Sequence, residues 1–144
     1  MIESKYVPAK LRKFVAERAD FVCEYCLSQE SFSAESFAVE HINPRKTGGK
    51  TVKENLAYSC LGCNSHKAAK TEAFDNVSET NVKLFDPRSQ NWSEHFVWSS
   101  DFTEIFGLTA IGRATVTALK LNRKGVKNLR WALFSVGKHP PNRR

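Results

Sequence analysis

The four cysteines of this 144-residue chain stand in two C-x-x-C pairs, Cys23/Cys26 and Cys60/Cys63, with 33 residues between the pairs. Two such turns can each present two thiolates to one ion, which completes the tetrahedral all-sulfur site that zinc accepts. The gap exceeds the roughly 15–20 residues of a simple zinc ribbon, so a further structure is inserted between the pairs. A closed site of four thiolates has no open coordination position. The predicted zinc therefore builds the fold, and any chemistry lies in the insert.

Disulfides and a redox pair are the competing interpretations of the cysteines. The longest unbroken apolar run covers only residues 131–134, whereas a membrane span needs roughly 20 residues and a signal peptide about 7–15. We therefore expect a soluble, cytoplasmic protein without a membrane partner, in a compartment that disfavours disulfides. A thioredoxin-like redox site needs one C-x-x-C motif and not two. Both observations favour structural zinc.

The positive charge of the chain is concentrated at its C-terminus. The net charge is +7, and residues 113–144 contain nine basic side chains and no acidic one. A segment of that sign favours polyanions such as nucleic acid, and the alternative is an ordinary solvated helix face. The basic residues alternate with apolar ones, which indicates folded basic surface and not a loose tail.

The length is typical of a single domain, which we place over 1–144 with a core at about 20–75 and a C-terminal extension at about 76–144. Thr109 is the predicted N-cap of one C-terminal helix, and Gly125 its predicted end. We expect Trp92, Trp98 and Trp131 in the core. Patterning predicts the following elements: a helix over 8–20, a strand over 36–42, a short helix over 63–71, a hairpin over 95–106, and helices over 110–123 and 127–136.

The insert carries side chains suited to phosphodiester hydrolysis. Glu40 and His41 end the predicted strand, and Asn64 lies on the short helix after the second cysteine pair. A one-metal phosphodiesterase needs a histidine that takes a proton from water and an oxygen-ligated divalent ion that binds the scissile phosphate. Adjacent strand residues point to opposite faces, so Glu40 and His41 meet one substrate only through an irregular strand end or different edges.

The segment from Cys23 to Lys67 resembles the HNH endonuclease family, in its zinc-stabilised ββα-metal form. That family has the pattern C-x2-C, (D/E)-H-I-x-P, G-G, N-L, C-x2-C-(H/N)-x2-K, and each element is present here in order. Asn55 follows His41 by fourteen residues and Asn64 follows it by twenty-three, in agreement with the family spacing. Two residues depart from the commonest form: Glu40 stands where Asp is common, and Asn64 where many members carry His.

The resemblance implies a role for each signature residue. His41 would be the general base, and Asn55 would hold its imidazole in the productive orientation. Glu40 and Asn64 would bind a catalytic divalent ion, and their oxygen atoms favour Mg²⁺. Lys67 would contact a phosphate of the nucleic acid. The other predicted nucleic-acid contacts are Arg45, Lys46, Arg113, Arg123, Lys124, Lys127 and Arg130.

The resemblance also implies the fold and the activity. We expect an α+β protein with a ββα-metal core held by the four-cysteine zinc site, flanking helices and a basic helical C-terminal extension. The expected activity is metal-dependent hydrolysis of double-stranded DNA, with a homodimer or an accessory protein as a further partner. Two alternatives stay open from the sequence: an RNA-directed nuclease, and a non-catalytic zinc-stabilised nucleic-acid-binding module.

Overall fold

The computed structural model describes residues 7–142, so that Arg143 and Arg144 of the basic segment lie outside the described residues. The helices and strands follow in the order α1 (Ala9–Arg18), β1 (Ala38–His41), β2 (Leu56–Ser59), α2 (Leu61–Lys67), β3 (Glu72–Asp75), β4 (Thr80–Lys83), α3 (Trp92–His95), β5 (Phe96–Trp98), β6 (Ile105–Gly107), α4 (Ala110–Leu119) and α5 (Lys124–Ser135). Short 3₁₀ turns cover Glu30–Phe32, Arg45–Thr47 and Lys53–Asn55. Within 7–142 no helix is both long and apolar enough to cross a bilayer.

The strands form three antiparallel hairpins, β1–β2, β3–β4 and β5–β6. In the first hairpin, Ala38 lies opposite Ser59 and His41 opposite Leu56. β2 is followed at once by α2, which gives the predicted ββα unit. The mixed α+β architecture is confirmed.

β1 is buried on both of its faces. Val39, Glu40 and His41 are consecutive residues and all three are buried. α1 and α2 both contact this strand. The two functional side chains at the strand end therefore enter different buried surroundings, as the opposite-face geometry of a strand requires.

The core is shared between the cysteine-bearing segment and the C-terminal part. Its fully buried members include Val15, Tyr25, Leu56, Phe96 and Leu119. α4 packs on β3, β6 and α2. The C-terminal part thus lies directly against the ββα unit.

The C-terminal helices differ from the prediction at their junction, where the first ends earlier and the second begins earlier than expected. The Thr109 hydroxyl accepts a hydrogen bond from the Gly112 amide, which confirms the predicted N-cap. α4 ends at Leu119, because Lys120 adopts a left-handed conformation with φ 51°. Gly125 as the helix end was therefore wrong, and this glycine lies in the first turn of α5.

Two further expectations need correction. The β3–β4 hairpin was not predicted, because its exposed strands show no apolar alternation. Trp131 is 64% exposed on α5 and is not a core residue. Trp92 and Trp98 pack against the core as expected.

The hairpin β3–β4 is tied to α4 by a buried carboxylate. Asp75 accepts hydrogen bonds from Arg113 Nε at 2.9 Å, from Arg113 Nη2 at 3.0 Å and from the Ser78 amide at 2.9 Å. The hydrogen bonds from Arg113 and then from Ser78 lower the pKa of Asp75, so the carboxylate is charged at neutral pH. Arg113, which is predicted to contact nucleic acid, joins two elements of the fold.

We predict that Asp75→Asn lowers the melting temperature at pH 7 by several degrees, because it removes the charge that Arg113 binds. The matched control is Glu104→Gln, which breaks an exposed ion pair with Lys127 and is expected to have little effect. Thermal unfolding followed by circular dichroism measures both. Equal melting temperatures for the two variants would show that the Asp75–Arg113 pair does not stabilise the fold.

Candidate catalytic and metal-binding sites

His41 lies at the end of β1, where the chain enters the loop to β2. Its side chain is 2% exposed, and its Nε2 atom is 2.8 Å from the Thr51 hydroxyl. The loop thus reaches back and fixes the plane of the ring. Thr51 was not predicted as a site residue, because only the folded loop brings it to the histidine.

Asn55 holds the shape of that loop. Its Oδ1 accepts from the Asn43 amide at 2.9 Å, and its Nδ2 donates to the carbonyl oxygens of Asn43 at 3.0 Å and Lys50 at 2.9 Å. A Cβ atom at Gly49 would meet the Asn43 carbonyl oxygen at 1.7 Å, so the close passage requires glycine.

The predicted role of Asn55 in orienting the imidazole would be exercised through the loop backbone. The Asn55 side-chain amide makes three hydrogen bonds, and all three are to backbone groups of the loop. Asn55 acts on His41 indirectly, because it fixes the loop that places Thr51 beside the imidazole ring.

Glu40 points into a different environment from His41. Its Oε1 accepts a hydrogen bond from the Tyr25 hydroxyl, and its Oε2 lies 3.2 Å from the Lys67 ammonium. Burial raises the pKa of Glu40, while the Lys67 charge and the Tyr25 hydroxyl oppose that rise. Tyr25 was missed from sequence, since it lies between the first pair of cysteines and offers no pattern of its own.

Lys67 fastens α2 to β1 from inside the protein. The residue is only 1% exposed, and its ammonium also donates to the Ile42 carbonyl at 3.1 Å. In this arrangement Lys67 neutralises Glu40 and does not face solvent, so its expected phosphate contact requires the side chain to move. Asn64 lies one turn earlier on the same helix face and is half-buried.

The four cysteines meet in one buried cluster. Their Sγ atoms all lie within 4.8 Å of one another, and those of Cys26 and Cys60 are 3.6 Å apart. Sulfurs bound tetrahedrally to one zinc ion at about 2.3 Å would be about 3.8 Å apart, so the cluster has the size of such a site. The first sulfur of each pair accepts from a backbone amide, Cys26 N to Cys23 Sγ at 3.5 Å and Cys63 N to Cys60 Sγ at 3.4 Å.

Hydrogen bonds within the cluster change the acidity of the thiols. Those from Cys23 come first among the causes that lower the pKa of Cys26 and of Cys60. The pKa of Cys23 is raised, chiefly by burial, and that of Cys63 is raised, chiefly by its hydrogen bond with Cys23. Thiolate is the form that binds metal. Among the described residues this is the one group of three or more Cys, His, Asp or Glu side chains close enough to share an ion.

Several arginines that were predicted to contact nucleic acid serve the fold instead. Arg130 is 3% exposed, donates to the carbonyl oxygens of Thr103 and Leu121, and lies over the ring of Trp98. Arg123 lies against the cysteine cluster. Arg130 is thus used within the fold, and its expected contact with nucleic acid would require the side chain to move.

The remaining basic residues are more accessible. Arg45 and Lys46 on the loop after β1 are exposed, as is Lys124 at the start of α5. Lys127 is half-exposed and pairs with Glu104 at 2.9 Å. Two separate groups of surface cations thus remain from the predicted set.

Comparison with known proteins gives one match. Residues 23–70 match the family model for HNH endonuclease, and they include both cysteine pairs, the β1–β2 hairpin and α2. Searches of curated proteins and of solved structures found no match. The matched region is the one in which the sequence pattern placed the family signature, and it folds as a ββα unit with four clustered cysteines. Residues 23–70 are therefore similar to HNH endonuclease domains, both in sequence and in the order of their elements.

Proposed function

We propose that this protein is a divalent-metal-dependent endonuclease that hydrolyses DNA phosphodiester bonds, with His41 as the general base. The observation that carries the proposal is the position of His41: it ends β1 inside the HNH segment, and the loop hydroxyl of Thr51 holds its ring. An imidazole in a fixed orientation is suited to removing a proton from water, because histidine ordinarily changes its charge near neutral pH.

The contact with Thr51 distinguishes the two nitrogens of the ring. In the tautomer that carries its proton on Nε2, His41 donates that proton to the Thr51 hydroxyl at 2.8 Å. The lone pair is then on Nδ1, which is the atom that would accept the proton of the attacking water. Asn55 would keep Thr51 beside Nε2 by fixing the loop.

The residues near Glu40 fit an oxygen-ligated ion. The Glu40 carboxylate and the Asn64 amide supply hard oxygen donors from β1 and α2, the class that Mg²⁺ prefers. Glu40 already lies beside a cation, since the Lys67 ammonium is 3.2 Å from Oε2. A bound divalent ion would stabilise the charge on the phosphate and on the leaving oxygen. Lys67 would then share the Glu40 carboxylate with the ion, or turn its ammonium group to a phosphate oxygen.

We assign zinc to Cys23, Cys26, Cys60 and Cys63. Four thiolates close its coordination shell, so this ion shapes the domain and takes no part in hydrolysis. The cluster lies at the start of α2, because Cys60 precedes that helix and Cys63 lies within it. Zinc binding would therefore fix the helix that carries Asn64 and Lys67.

Duplex DNA fits the surface charge. Arg45 and Lys46 are exposed next to the His41 loop, and Lys124 is exposed on the C-terminal helix. Lysine and arginine contacts of this kind bind phosphates without reading sequence. RNA offers the same phosphates, so the substrate class is an outcome of the test below.

We predict that His41→Ala lowers the cleavage rate of supercoiled plasmid by roughly 10²–10⁴-fold, which is the usual contribution of a general base. Wild type and variant are compared on plasmid and on a matched RNA, with Mg²⁺ and with chelator, after equal zinc content and circular dichroism spectra are established. Cleavage that survives the substitution would contradict His41 as the base. A wild type that binds nucleic acid and cleaves neither substrate would support the non-catalytic module, and cleavage of RNA alone would support the RNA-directed nuclease.

Thr51→Val tests whether the loop hydroxyl orients His41. Valine keeps the shape and removes the hydrogen bond, so we expect the turnover rate to fall roughly 10–100-fold with little change in melting temperature. Thr47→Val is the matched control, because the Thr47 hydroxyl donates to the Asn43 side chain and to the Pro44 carbonyl in the same loop. Equal loss in both variants would mean that the loop, and not the Thr51 contact, is responsible.

Removal of one sulfur tests the structural zinc. We expect Cys60→Ser to lose zinc and the cooperative thermal transition, because metal binding supplies much of the folding free energy of such domains. Ser65→Ala, on the exposed side of the same helix, should keep both. Metal analysis and thermal unfolding give the readouts, and an unchanged zinc content in Cys60→Ser would refute the four-thiolate site.

A further inference from the structure

Arg123 approaches the cysteine cluster from the C-terminal part of the chain. Its Nη2 atom is 3.6 Å from Cys60 Sγ and 3.9 Å from Cys63 Sγ, and its Nη1 atom is 3.8 Å from Cys63 Sγ. Both sulfurs belong to the second C-x-x-C pair. One guanidinium thus reaches both sulfurs of that pair.

The same guanidinium is anchored to the end of α4. Nη1 donates to the carbonyl oxygens of Leu119 at 3.0 Å and Lys120 at 2.9 Å. These carbonyls lie where α4 stops, and Arg123 itself immediately precedes α5. Arg123 therefore connects the junction of the two C-terminal helices with the cysteine cluster.

Gly62 makes room for this contact. It lies inside the second cysteine pair, and a Cβ atom at this position would be 2.7 Å from Arg123 Nη2 and 2.9 Å from Cζ. The backbone of Gly62 has no left-handed conformation to explain the glycine. The absence of a side chain at Gly62 therefore allows the Arg123 guanidinium to pass close to the backbone.

The contact between Arg123 and the sulfurs bears on the charge that the cluster would carry with zinc bound. Four thiolates around one Zn²⁺ carry a net charge of −2, which is costly to bury without compensation. The Nη1 and Nη2 atoms of Arg130, a buried arginine nearby, donate to carbonyl oxygens and to the Asn122 side chain. Arg123 is the arginine that contacts the sulfurs.

We infer that Arg123 is a positioning residue of the metal site, which donates hydrogen bonds to the Cys60 and Cys63 thiolates, offsets part of their charge and locks the C-terminal helices to the bound ion. The inference rests on the proposed zinc site. Arg123 lies outside the matched HNH segment, which ends at residue 70. The C-terminal part thus contributes to the metal site as well as to the core.

Loss of the contact would expose the thiolates to competition. Hydrogen bonds and a nearby positive charge offset the −2 charge of the loaded cluster and make its sulfurs harder to protonate, which slows the proton-assisted loss of the ion. Without Arg123 the zinc should leave faster. In a Co²⁺-substituted protein, the charge-transfer band from sulfur to metal should move to lower energy, because the sulfur electrons are held less tightly.

The experiment compares wild type, Arg123→Ala, Arg123→Lys and the matched control Lys124→Ala. Zinc release to a chromogenic chelator at pH 7 should be on the order of 10-fold faster for Arg123→Ala. It should be intermediate for Arg123→Lys, which keeps the charge without the fork of donors, and unchanged for Lys124→Ala. The Co²⁺ spectrum should shift in the same order.

Gly62→Ala gives an independent variant in which the arginine is retained. Its methyl group should push the guanidinium away and reproduce the faster release and the spectral shift, even where Arg123→Ala fails to fold. A wild type that binds one zinc, with release rates and Co²⁺ spectra unchanged in the Arg123 and Gly62 variants, would overturn the inference alone. A wild type that binds no zinc would overturn the proposed metal site as well.

Discussion

The meeting of four cysteine sulfurs is the constraint on which the rest of the structure depends. It brings together two turns that are 33 residues apart in sequence, and the intervening chain must return as a hairpin. α2 starts at the second turn, so the cluster also sets the direction of that helix relative to β1. The C-terminal helices pack on this unit and reach the cluster through Arg123.

In the proposed function, the site separates structural and chemical roles by distance along the chain and by ligand type. Soft sulfur ligands surround a closed position at one end of α2, whereas hard oxygen donors and a histidine lie near β1. Within the second group, Glu40 and His41 occupy opposite sides of one strand. Lys67 links the carboxylate to α2, and Thr51 links the imidazole to the loop. One short strand thus places a carboxylate and an imidazole in two different environments.

The sequence predicted the parts whose chemistry depends on residue type and spacing. The cysteine pairs, the ββα order and the Thr109 cap are of this kind, because each rests on local pattern. The partners of the site residues were not predictable, since Thr51, Tyr25 and Arg123 reach their contacts only through the folded loop or across the core. Arg113 and Arg130 show the same limit. Their positive charge is evident from the sequence, but their partners in the fold, Asp75 and backbone carbonyl oxygens, are not.

The central claim is that one metal builds the domain while another is needed for hydrolysis. The most direct test uses wild-type protein that holds one equivalent of zinc and no other divalent ion, incubated with supercoiled plasmid before and after addition of Mg²⁺. The account predicts no cleavage with the bound zinc alone and rapid cleavage once Mg²⁺ is present. Full cleavage by the zinc-loaded protein without Mg²⁺, or none after its addition, would contradict it.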